Sequence, residues 1–155
     1  ASVKDWIARY EGATCYAPAE FKSKIEGLEY TTLTNEAPAA WSGDLEQIAV
    51  EGAPALDEVV FFHRATRTLL LTDLCFTMMH SGSFITRLFM RGMGGYGQFG
   101  PSRLAKAFRK DKAAIRRGIE RILEWDFNRV TVTHGEVREA DGNSKLREAY
   151  AWLLK

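Results

Sequence analysis

The chain has 155 residues, 46% hydrophobic and 26% charged, the composition of one globular domain long enough to bury a core. Lys and Arg number 21 against 20 Asp and Glu, so a net charge of +1 gives no global field towards nucleic acid or a membrane. No apolar run reaches membrane-spanning length and the N-terminus lacks signal-peptide architecture, which predicts a soluble, cytoplasmic protein in a single domain, residues 1–155.

The opening stretch SVKDWIARYEG sets Val3, Trp6, Ile7 and Tyr10 at helical spacing, with Gly12 placed to end the helix. TCYA predicts a short strand closed by Pro18, and PAEFKSKIEG a brief helical turn with proline at its first position. Residues 27–44, with Pro38 and Gly43, are weakly patterned and predict a loop carrying short strands. LEQIAVEG alternates like a half-buried strand, EVVFFHR predicts a second and TLLLTD a third. Only residues 64–67 separate the last two, so an antiparallel hairpin is expected.

After Asp73 the run LCFTMMHSGSFITRLFMRGMGGYGQFGPSR is apolar and broken by glycines, predicting one or two short helices and then an irregular loop to Pro101. SRLAKAF and KDKAAIRRGIERILEWD have helical patterns, the second with Ile115, Ile119, Ile122 and Leu123 on one face. RVTV predicts a last strand, and NSKLREAYAWLLK a terminal amphipathic helix capped by Asn143 or Ser144. The order is mixed α/β, with consecutive strands in the middle and helices on either side.

Asp73 stands at a strand end, where open α/β sheets place their ligand sites. A carboxylate between the strand-like run Leu69 to Thr72 and the apolar run Leu74 to Phe76 needs hydrogen bonds, a cation or water; the alternative to a ligand role is to accept N–H bonds from the turn or cap the following helix. His134 follows another strand and precedes Gly135, where it is either satisfied by backbone groups or available to meet Asp73. His63 reads as a surface histidine at the hairpin turn and His80 as a loop histidine; the three histidines make no HExxH or HxH spacing. GMGGYG, residues 92–97, matches GxGxxG formally but follows a helical pattern where a dinucleotide site needs a strand. Cys15 and Cys75 read as small core hydrophobes in a reducing compartment, and Trp125 and Phe127 as core anchors. Arg103, Lys106, Arg109, Lys110, Lys112, Arg116, Arg117 and Arg121 form a basic run that reads as a solvated helix face or as phosphate contacts.

Taken together, EVVFFHRATRTLLLTDLCF and WDFNRVTVTHGEV resemble the metallo-β-lactamase superfamily, in particular a branch known only as a domain of unknown function. The resemblance spans residues 45–137 and implies an αββα sandwich with its site at the strand ends. It implies that Asp73 stands where the superfamily has a metal-bridging aspartate, and that His134, before Gly135, stands at a ligating histidine. The cofactor it implies is zinc or another divalent transition metal. Two departures accompany it: no HxHxDH motif occurs, and EGAPALDEVV carries no histidine where the superfamily has one before the hairpin. Two remnant ligands do not fill a zinc site.

The chain is therefore expected to resemble the C-terminal portion of that fold, lacking part of its N-terminal half and without hydrolase activity when isolated. Two other readings stand beside this one. In the first, the chain is a metal-dependent hydrolase completed by a partner chain or by His63 or His80, with metal-bound water attacking an ester, amide or phosphoester. In the second, it is a non-enzymatic binder of nucleic acid or another polyanion through the basic helix 103–121. An incomplete fold would also leave the hairpin with an apolar face or a bare edge, predicting a two-fold homodimer that covers it. No feature of the sequence names a small-molecule substrate.

Overall fold

The structure, a computed structural model, describes residues 3–19, 21, 27–53, 58–77, 83–92, 96–103 and 110–155. In chain order the elements are α1 (Val3–Arg9), β1 (Tyr16–Ala17), β2 (Thr31–Thr32), β3 (Leu45–Ala49), β4 (Val59–His63) and β5 (Thr68–Leu70). There follow β6 (Phe76–Thr77), α2 (Phe84–Gly92), β7 (Phe99–Gly100), α3 (Lys112–Ile122), β8 (Arg129–Thr131), α4 (Gly142–Ala149) and α5 (Ala151–Leu154).

A four-stranded sheet in the order β3-β4-β5-β8 forms the centre. The expected hairpin is there: β4 and β5 pair antiparallel, Phe62 opposite Leu69, and β3 lies antiparallel along the other side of β4. At its turn Arg67 takes a φ of 50° and donates its backbone N–H to the Arg64 carbonyl at 3.1 Å. Strand β8 runs parallel to β5, with Leu69 beside Val130. A parallel pair needs a long crossover, and here the crossover carries α2 and α3. The described residues thus form a mixed α/β fold with three open sheets, the two smaller ones pairing β1 with β2 and β6 with β7.

One face of the central sheet makes the core. Ile48, Val60, Phe62, Leu69, Leu71 and Val130 are buried there, because residues alternate between faces along each strand. Helix α3 presents Ile115, Ile119 and Ile122 to the same core, as its apolar spacing predicts. Gly118 permits its approach, since a Cβ there would sit 3.3 Å from the Val50 side chain. The helix starts where Asp111 accepts a hydrogen bond from Ala114 N–H at 3.0 Å. Leu146, Tyr150 and Leu153 of the terminal segment complete the cluster.

On the other face Gln47 is buried and ties down the N-terminal segment. It donates to the Thr34 and Glu36 carbonyls at 2.7 and 3.1 Å and accepts from the Trp41 indole at 3.0 Å. Beside it the Asn35 carboxamide accepts the Ala49 N–H at 3.0 Å. At the far side of the sheet, Val130 and Arg138 exchange backbone hydrogen bonds at 2.9 Å. The hairpin therefore lies inside the sheet rather than at a bare edge.

Two details of the terminal helix differ from expectation. It starts at Gly142, after Asp141 in the left-handed region with φ 59°, so neither Asn143 nor Ser144 is its N-cap. A side chain at Gly142 would meet the Asn128 carbonyl at 2.6 Å. Asn143 caps a different helix: its carboxamide donates to the carbonyls of Leu123 and Trp125, just past the end of α3. The expected single helix also divides at Tyr150, whose buried hydroxyl donates to the Leu74 carbonyl at 2.8 Å.

Candidate functional site at the strand ends

Because β5 and β8 are parallel, their C-terminal ends emerge on one edge of the sheet. The last bond of their ladder runs from Leu71 N–H to the Thr131 carbonyl at 2.9 Å. Beyond it β5 turns away, and β4, being antiparallel, brings its N-terminal neighbour Glu58 to the same edge.

Glu58 organises the turn. It is 2% exposed and accepts the N–H groups of Thr72 and Asp73 at 2.7 and 2.8 Å, together with a short bond from the Thr72 hydroxyl. Burial pushes its carboxyl above the ordinary carboxylate range; the bonds from Thr72 and Asp73 offset part of that, and the nearby Asp73 charge adds to it. The acid enclosed at this edge is therefore Glu58, which the sequence reading passed over. The signal was a carboxylate directly before the apolar run VVFF.

Asp73, by contrast, looks outward. Leu74 and Cys75 after it are buried, while its own side chain keeps 42% of its exposure. Its carboxylate faces His134, with Nε2 to Oδ1 at 3.6 Å. The His134 ring stacks on Phe76 at 5.8 Å between centroids and 9° between planes. Its backbone is held as well: the His134 carbonyl accepts Thr77 N–H at 3.2 Å, and Glu136 N–H donates to the Thr77 carbonyl at 2.7 Å. Gly135 makes this contact possible, because its φ is 133° and a Cβ would fall 2.0 Å from the Thr77 oxygen. Two residues separated by a long crossover are thus placed together by the parallel strands that precede them. With side chains 56% and 42% exposed, the pair is solvent-screened and contributes less than about 1 kcal/mol to stability.

Zinc takes three or four protein ligands. Among the described residues no group of three or more His, Cys, Asp or Glu side chains is arranged to hold a metal, so Asp73 and His134 do not by themselves fit that ion. His63 ends β4 at the opposite edge of the sheet, where its Nδ1 lies 2.7 Å from the Thr66 hydroxyl. His80 lies outside the described residues.

The remaining candidates have other surroundings. Of the basic run, Arg116 pairs with Glu120 at 2.8 Å and donates to the carbonyls of Leu154 and Lys155, tying α3 to the C-terminus. Lys112, Arg117 and Arg121 are exposed, and Lys106 and Arg109 fall outside the described residues. The glycine cluster 92–97 begins where α2 ends, following a helix as its pattern predicted. No disulfide joins Cys15 and Cys75; Cys75 is buried and Cys15 half-buried. Among the described residues no helix is long and apolar enough to cross a membrane. Comparison with protein-family models gives no match for this chain, and comparison with curated proteins gives none either.

Proposed function

We propose that this chain is a metallo-β-lactamase-like domain whose metal-binding edge survives as the Asp73–His134 pair, and that it hydrolyses nothing as an isolated chain. In this reading the central sheet and its helices belong to an αββα sandwich that lacks part of its N-terminal half. The observation that supports it is the meeting of Asp73 and His134 at 3.6 Å beyond the C-terminal ends of adjacent parallel strands. Those are the residues that the resemblance marks as ligands. The chemistry available to the pair is limited: one carboxylate and one imidazole leave at least two zinc positions to water, and the chelate is weak.

The test is hydrolysis of nitrocefin, a phosphodiester and an activated ester by the purified chain in excess zinc. No turnover above the metal blank is expected. Turnover that disappears in the His134→Ala variant would overturn the reading and favour the metal-dependent hydrolase.

A further inference from the structure

Helix α2 shows an apolar ridge to solvent. Phe84, Ile85 and Leu88 are 69%, 78% and 63% exposed, the three most exposed large hydrophobic side chains among the described residues. Phe84 and Leu88 are four residues apart and share a face, with Ile85 beside them. Arg87 and Arg91, also four apart, run along the flank. The Arg87 guanidinium lies 5.9 Å from the Phe84 ring centre, and that of Arg91 lies 5.3 Å from the Tyr96 ring centre. Phe84, Arg87, Leu88 and Arg91 together line a shallow cavity of about 240 Å³. A third guanidinium reaches the end of the helix, where Arg103 donates to the Gly92 carbonyl at 3.3 Å.

The near-neutral net charge conceals how one-sided this region is. From residue 74 to residue 110 the sequence contains no Asp or Glu, but it carries Arg87, Arg91, Arg103, Lys106, Arg109 and Lys110. An amphipathic helix with aromatic and aliphatic side chains on one face and arginines along its border is the pattern of a helix lying in a membrane interface. The ridge belongs to a single helix of roughly 13 Å. A bilayer interface accepts such a ridge among its acyl chains and offers phosphates at the level of the flanking guanidinium groups, which suit them by shape and charge.

We propose that α2 is a docking helix for an anionic lipid surface, with Phe84, Ile85 and Leu88 entering the interface and Arg87, Arg91 and Arg103 meeting the phosphates. The chain would rest on the membrane without spanning it, and the strand-end pair plays no part in this contact.

The experiment is flotation of the full chain with phosphatidylcholine vesicles, with and without phosphatidylserine, alongside light scattering of the chain alone. Flotation is expected only with phosphatidylserine and should fall as salt rises. Replacing both arginines, Arg87→Gln with Arg91→Gln, should weaken binding roughly thirtyfold, two basic contacts' worth at a charged interface. Leu88→Glu and, separately, Ile85→Ser should abolish flotation while circular dichroism stays unchanged. Absence of flotation with anionic vesicles would overturn the proposal, as would equal flotation with neutral ones. A concentration-dependent dimer that Leu88→Glu dissociates, without flotation, would assign the ridge to a second copy instead. Heparin binding that needs the arginines but not Leu88, again without flotation, would assign it to a polyanion.

Discussion

At Glu58 one enclosed carboxylate receives the N–H groups of Thr72 and Asp73 and the Thr72 hydroxyl. Removing it strands these donors, so Glu58→Ala is expected to lower stability by about 3 kcal/mol. Glu58→Gln separates charge from shape. Because burial raises the folded-state pKa of Glu58, the native chain holds the proton more tightly than the unfolded chain. Stability from this group is complete below the unfolded pKa and is lost as pH rises through the folded pKa. Denaturant unfolding of wild type and Glu58→Gln across that interval should show the gap between them narrowing as pH rises; a widening gap would contradict the assignment. Asp73→Ala removes only a screened contact and should change stability by less than about 1 kcal/mol in the same assay. Gly135→Ala drives a methyl group into the Thr77 backbone and should cost about 2 kcal/mol or more. Little of this was legible beforehand. Asp73 was conspicuous because it stands between the runs Leu69 to Thr72 and Leu74 to Phe76, yet the turn points it outward, and the partners of Glu58 lie 14 and 15 positions away along the chain.

Among the elements, the strands were the most readable. VVFFH is rich in β-branched and aromatic residues, and the short separation of β4 from β5 permits only a tight connection. The pairing of β8 with β5 was not readable, because the pattern of a strand does not name a parallel neighbour some sixty positions distant. The resemblance brought Asp73 and His134 into one argument, and the pairing of β5 with β8 supplies the physical reason for their meeting. The terminal helix shows the same division. Leu146 and Leu153 announced a buried face, but the role of Asn143 depends on tertiary packing and appears in no local pattern. Asn143→Ala should therefore destabilise the fold by about 1 kcal/mol through the end of α3, with loss of amide-exchange protection there as the diagnostic. Unchanged protection at Leu123 and Trp125 would show that the carboxamide is not a cap in solution. Tyr150→Phe leaves the enclosed Leu74 carbonyl without its donor and should lower stability by about 1–2 kcal/mol on denaturant unfolding.

At the scale of the whole molecule, the structure separates a well-packed core from surfaces that face solvent with apolar side chains. The sheet, α3 and the terminal helices share one cluster, whereas α1 buries none of its residues and α2 exposes its ridge. The homodimer was expected on the ground of an apolar face or a bare edge of the hairpin; β3 and β8 occupy both flanks, so the hairpin has no bare edge, while Leu70 of β5 remains exposed. Among the described residues the four most exposed large apolar side chains, Ile85, Phe84, Leu88 and Trp6, lie on α1 and α2. Mixed α/β architecture was legible because strand and helix periodicities alternate clearly from residue 45 onward; which surfaces remain open depends on tertiary placement. The two-ligand strand edge is tested most directly by metal stoichiometry: the purified chain is equilibrated with zinc, passed through gel filtration and analysed for zinc per chain. Well under one zinc per chain is expected, with no further loss in Asp73→Ala or His134→Ala. One or two retained per chain, lost on either substitution, would contradict a remnant pair and show a complete metal centre.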